Sequence, residues 1–170
     1  MHFERAKDRE NTFQLNMEID FFPEEPLLIN EFYKTREENL EGLDVSIPCN
    51  IFGEGLSGLE AIVKYLKEKQ ELSYSEISKL LNRDARTIWT TYNKIKNKPT
   101  RKNQTINKYN FSTRIIRSRE LSVLESVSVF LRKKGLSIKE ISIELSRNNK
   151  TIWTALNRAE KKIKQSEVRT

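Results

Sequence analysis

Residues Leu72 to Lys96 read LSYSEISKLLNRDARTIWTTYNKIK, and residues Leu136 to Lys161 read LSIKEISIELSRNNKTIWTALNRAEK. Both stretches hold Leu-Ser, then Glu-Ile-Ser, an arginine near the middle and Thr-Ile-Trp-Thr. The likeness extends backward. LSGLEAIVKYLKEK from Leu56 to Lys69 aligns with LSVLESVSVFLRKK from Leu121 to Lys134, with one residue fewer between the blocks in the second copy. Self-similarity over roughly 45 residues is an internal repeat, and it bounds the fold before any single motif is weighed.

The periodicity predicts three short helices per copy. Over Gly58 to Lys69 the residues Leu59, Ile62, Val63 and Leu66 share one helical face, leaving Lys64, Lys67 and Glu68 outside. Ser57 stands at its cap position. A second helix begins after Ser73, with Glu76 three residues on, and Ser137 with Glu140 repeats this capping box. Caps matter here because helices so short gain little from propagation. The inward residues are Ile77, Leu80 and Leu81 in one copy and Ile141 and Leu145 in the other. Asn82-Arg83-Asp84 and Ser146-Arg147-Asn148 form the turns, with Asp84 and Asn148 as N-caps of a third helix. That helix is expected to carry Ile88, Trp89, Tyr92 and Ile95 inward, or Ile152, Trp153, Leu156, Ala159 and Ile163. The tryptophans are expected to be the large apolar plugs of the core. The tail after Ile163 should fray.

Around the repeats, Val45 to Phe52 (VSIPCNIF) reads as an extended lead-in containing Pro48, and Asn110 to Ile116 (NFSTRII) is its counterpart. Residues 1–50 form an acidic N-terminal arm, broken at Pro23 and Pro26, with one helix expected over Leu27 to Leu40. Asn97 to Tyr109 is polar and basic and reads as an exposed linker. The expected organisation is the arm at 1–50, a first unit at 51–97, the linker and second lead-in at 98–115, and a second unit at 116–165. The predicted fold class is all-α, two tandem three-helix units behind a short N-terminal arm.

Residues 1–50 carry 5 Lys/Arg against 12 Asp/Glu, whereas residues 51–170 carry 26 against 12, so the net charge of +7 conceals a basic repeat region. That region suggests a polyanionic partner, and charge alone fits nucleic acid or an anionic membrane equally well. Cys49 is the only cysteine, which excludes an intrachain disulfide and suits a reducing compartment. No apolar run approaches a bilayer span and no signal peptide is visible, so no membrane partner is expected. There is no glycine-rich phosphate loop and no His/Cys metal spacing, and the sole histidine is His2. The expectation is therefore no enzyme, no catalytic residues, no metal and no cofactor.

Three short helices with a three-residue turn before the third meet the requirements of a helix-turn-helix, whose third helix enters the DNA major groove. The residues left over by the core are Arg83, Ala85, Arg86, Thr87, Thr90, Thr91 and Lys94, and in the second copy Arg147, Asn149, Lys150, Thr151, Thr154 and Arg158. Arg and Lys donate to guanine, Asn bridges adenine, and Thr serves base edges or phosphates. The "LS-x-x-EI" start, basic turn and Thr-Ile-Trp helix resemble the sigma-factor region-four type of helix-turn-helix, over about Leu56 to Lys96 and Leu121 to Lys162. The resemblance implies groove insertion at Arg83, Arg86, Thr87 and Thr90, and at Arg147, Lys150, Thr151 and Thr154. The arm and the linker have no counterpart in it.

The function expected from the residues is sequence-specific binding of double-stranded DNA in transcription regulation or in organising a locus, in a cytoplasmic, nucleoid-associated protein. A-form RNA fits less well because its major groove is too narrow for a helix. The alternative is a protein-protein adaptor built from the same units, with the acidic arm, residues 1–50, binding a partner or a second copy of the chain.

Overall fold

A computed structural model of the chain describes residues 44–53, 55–99 and 108–167. The expected helix over Leu27 to Leu40, most of the acidic arm and most of the linker lie outside these residues. The described chain is largely helical. Its elements are strand β1 (Ser46–Pro48), a 3-10 turn (Cys49–Ile51), helices α1 (Gly58–Glu68), α2 (Tyr74–Leu81) and α3 (Ala85–Ile95), strand β2 (Asn110–Ser112), the single turn α4 (Arg114–Arg117), and helices α5 (Val123–Lys133), α6 (Ile138–Glu144) and α7 (Asn149–Glu167).

The helices start where serine and glutamate dictate. Ser57 with Glu60, Ser73 with Glu76, Ser122 with Glu125 and Ser137 with Glu140 each close a full capping box. Two of the four boxes, at Ser73 and Ser137, are those the sequence motif announces. Asp84 accepts from the amides of Arg86 and Thr87 to cap α3, and Asn148 Oδ1 accepts from Thr151 N to cap α7. Between the second and third helix of each half the chain turns through a left-handed residue, Asn82 (φ 50°) or Ser146 (φ 48°).

The all-α expectation needs one correction. β1 and β2 pair antiparallel, Ser46 with Ser112, Ile47 with Phe111 and Pro48 with Asn110. Beyond the strands, Thr113 N donates to Val45 O and Cys49 N to Tyr109 O. Strands of three residues, far apart in the chain, leave no periodic signal, so only the fold reveals them. Their register carries the symmetry of the repeat. Ser46 and Ile47 correspond to Phe111 and Ser112, so the pair Ser46–Ser112 maps onto Phe111–Ile47. Equivalent segments paired antiparallel in this way are related by a local two-fold axis.

Other contacts obey the same axis. Gly58 opens α1 and Val123, the equivalent position, opens α5. A Cβ placed on Gly58 would lie 3.0 Å from Val123 Cγ1 and 3.1 Å from its Cβ. Helix α2 of the first half packs on α4 of the second, while Arg147 of the second half reaches Gly53 and Leu56, just past the lead-in of the first. The apolar interior is continuous across both halves and both strands, from Ile47, Phe52 and Ile62 to Phe111, Val127 and Ile152. Phe52 and Phe111 stack there at 5.9 Å between ring centres. Burial, and then the nearby Glu144 carboxylate, push the Cys49 thiol up to about 12.

Three further expectations are overturned. Trp89 and Trp153 are 53% and 49% exposed rather than core plugs. The buried stripes Ile88/Ile95 and Ile152/Leu156/Ala159/Ile163 are already complete, and the next residue along a helix is turned about 100° away from such a stripe. Lys64, expected outside, is 6% exposed. Its stem packs inward and its ammonium donates to the carbonyls of Ile95 and Lys98, closing the C-terminal end of α3 where a cation is favoured. The tail does not fray at Ile163, because α7 runs on to Glu167 with Lys162 tied to Glu125 and Lys164 to Glu160.

Two predictions follow from these contacts. Gly58→Ala lowers the unfolding free energy by about 1–3 kcal/mol because the junction with Val123 is overpacked. The same change introduced beside Val123→Ala costs less, and a double-mutant cycle by denaturant melts measures the coupling. The second concerns acid. Hydrogen bonds from Ser73 and Ser137 hold Glu76 and Glu140 below their ordinary value of 4.5. Burial raises the Asp44 carboxyl, but bonds from Ser112 and Thr113 and the charge of Arg114 outweigh it and leave the group below 3.8. A depressed folded pKa means stability that is complete above the unfolded value and lost as pH falls through the folded one. The thermal midpoint should therefore hold as pH falls to about 4.5 and drop below it, with Glu76→Ala flattening that drop.

Candidate functional site

The strongest candidate is the outward stripe that α3 and α7 share. Arg86, Trp89, Thr90, Asn93 and Lys94 correspond to Lys150, Trp153, Thr154, Asn157 and Arg158. Steps of three and four residues put each set on one helical face. Arg86, Trp89, Thr90 and Lys94 are exposed, as are Lys150, Trp153 and Arg158, while Asn93, Thr154 and Asn157 are half-buried. Each helix thus presents a cation, an indole beside a threonine, and a second cation, in the same order.

The first cation of each set stands in an unfavourable place. Arg86 and Lys150 lie in the first turns of α3 and α7, and no acidic residue lies in either first turn. The helix macrodipole already makes that end positive, so a cation there costs about 0.3–1 kcal/mol. Every other long helix follows the opposite rule, with Glu60, Glu76, Glu125 and Glu140 in the first turns of α1, α2, α5 and α6. In α3 the Asp84 carboxylate at the N-cap answers the dipole, whereas α7 is capped by the neutral Asn148 and begins with Lys150 and no anion, an end that would attract an anionic ligand.

The remaining sequence-predicted residues divide. Thr87 and Asn149 are exposed beside the stripe, and Thr91 is half-buried where the second half has the buried Ala155. Thr151 has its hydroxyl on Asn148 Oδ1, and Thr154 donates to Lys150 O. Their donors are engaged within the helix, which favours contact through the methyl groups. Arg147 leaves the set of groove contacts. Its guanidinium donates to the carbonyls of Gly53 and Leu56 in the other half, and to Ser146 O beside it. Arg83, its equivalent, is half-buried, and burial, followed by the charge of Arg119, makes its charged form less favourable than usual. The turn arginine is thus half-buried in both copies, and in the second it ties the halves together.

Sequence reasoning missed the two tryptophans as surface groups, and it did not single out the half-buried Asn93 and Asn157. The signal was present, since each tryptophan follows an isoleucine that already completes the stripe. Among the described residues no three His, Cys, Asp or Glu side chains converge as a metal site, and no helix is long and apolar enough to cross a membrane. Comparison with known proteins returned no match, whether with family models, curated sequences or solved structures.

Arg147→Ala should lower stability by about 1–3 kcal/mol by leaving buried carbonyls without a donor. Arg86→Ala, at an exposed first-turn position, should leave the melting temperature unchanged or raise it slightly. Parallel thermal melts of the two variants separate the structural arginine from the surface one.

Proposed function

We propose that the chain binds double-stranded DNA in a sequence-dependent way, through two helix-turn-helix units whose third helices are α3 and α7. The observation that carries the reading is the twice-repeated stripe of cation, indole with threonine, and cation on the outward faces of the capped helices α3 and α7. A major groove accepts one helix, its phosphates reward Arg and Lys on the flanks, and its base edges reward Arg, Asn and apolar contact with the thymine methyl. Trp89 and Trp153 join the interface in this reading, as the apolar part of each stripe. A chain of this kind acts on transcription or on the organisation of a locus. The likeness to sigma-factor region four supports the same mode of insertion at Arg86, Thr87, Thr90, Lys150, Thr151 and Thr154.

The exposed indoles favour one second reading, an adaptor that docks a protein on the same face. Salt separates the two. Duplex binding weakens linearly on a log-log plot, by roughly 0.9 in slope for each phosphate contacted, whereas an indole-centred protein contact is far less sensitive to salt.

Fluorescence anisotropy with a selected duplex and with random duplexes tests the proposal. Arg86→Ala or Lys150→Ala should reduce the preference for the selected site by about tenfold. Trp89→Ala with Trp153→Ala should weaken binding without lowering the melting temperature, because neither side chain fills the core. Arg101→Ala with Lys102→Ala in the linker should weaken binding to all sequences alike and flatten the salt dependence. Equal binding of all duplexes by the unaltered chain would overturn sequence reading.

A further inference from the structure

We infer that the preferred target is an imperfect inverted repeat, with α3 reading one half and α7 reading the other on the opposite strand, one chain to each site. The inference rests on the DNA-binding reading above and adds the symmetry of the target. It comes from the fold, since a sequence repeat alone would suit a direct repeat of half-sites equally well.

Tandem units joined by a simple translation would present their third helices in the same direction along a duplex. These halves are related otherwise. The antiparallel register of β1 and β2 maps onto itself under exchange of the repeats, with Ser46–Ser112 becoming Phe111–Ile47. Gly58 meets its own equivalent, Val123. The turn arginine of the second half reaches Gly53 and Leu56, just past the lead-in of the first, and the turn arginine of the first feels the charge of Arg119, just past the lead-in of the second. These pairings all fit exchange of the two halves by a two-fold, and such a rotation reverses the component of α7 that lies across the axis relative to that of α3. A duplex has two-folds of its own, perpendicular to its length, that exchange its strands. A two-fold protein aligned with one of them meets half-sites in inverted orientation, with centres about 34 Å apart or a multiple of that.

The halves of the target are unequal because the stripes are. Asn149 can bridge adenine where Ala85 offers only a methyl, and Arg86 has a bidentate grip on guanine that Lys150 matches less rigidly. Since one chain supplies both readers through a shared interior, occupancy of the full site needs no dimerisation step and follows the first power of protein concentration.

The test is selection of duplexes from a random pool by the full chain, by Arg86→Ala and by Lys150→Ala, with melts confirming that each variant stays folded. The expected consensus has two related halves in inverted orientation, one eroded by Arg86→Ala and the other by Lys150→Ala. Turning one half to make a direct repeat at the same spacing should lower affinity by about tenfold or more, and titration should give one chain per site. A direct repeat, a single half-site eroded by both variants, or one chain joining two separate duplexes would overturn the inference and leave DNA binding standing. Failure to enrich any duplex would remove the DNA-binding reading itself.

Discussion

Ile47 opposite Phe111, on two strands of three residues each, is the contact on which the rest of this molecule depends. Both side chains are fully buried, and Phe52 stacks on Phe111 beside them. Sets of three short helices bury too little apolar surface to be comfortable alone. Joining two lead-ins through a strand pair gives both sets one interior, and it fixes which surface of each set faces its twin. Asp44 reinforces the edge of that junction by accepting from the hydroxyls of Ser112 and Thr113 and pairing with Arg114.

Within this frame the halves have specialised, because a single chain need not keep its two copies identical. Lys64 and Val129 are equivalent and both buried, yet one is an ammonium that closes the end of α3 and the other a plain apolar group. The second half is held instead by Lys162 on Glu125, whose carboxylate also accepts from Ser122 N at the start of α5. Gly58 faces Val123, where a side chain in place of the glycine would crowd the valine. Asymmetry of this kind is available only when the two partners are covalently one, and it reaches the surface as the differences between the two stripes.

The candidate site is distinguished by features that work against local stability. Arg86 and Lys150 oppose the dipole at the start of their helices, and Trp89 and Trp153 leave about half of a large indole in water. Neither choice helps the fold, and both recur at equivalent positions in two copies that differ elsewhere. Arg147 shows the converse. A basic residue in a turn looks like a surface contact until its partners are known, and two of its carbonyl partners, Gly53 and Leu56, lie in the other half of the chain.

The sequence by itself determined the repeat, the helices and their starts, because capping boxes and a 3.6-residue period are local and each residue carries its own signal. Ser73, Ser137, Asp84 and Asn148 cap as their side-chain chemistry requires, and Ile77, Leu80, Ile88, Ile141 and Ile152 are buried as their spacing requires. Much of the candidate face was legible for the same reason, with Arg86, Thr90, Lys94, Lys150 and Arg158 lying on the turn of helix that the core leaves over. Only the tertiary structure decided the strand pair, the buried ammonium of Lys64, the inward duty of Arg147 and the outward turn of the tryptophans. Each of these depends on a partner far along the chain or on how much of a stripe another element has already filled. Pairing at a distance is a property of the folded arrangement, and no window of neighbouring residues contains it.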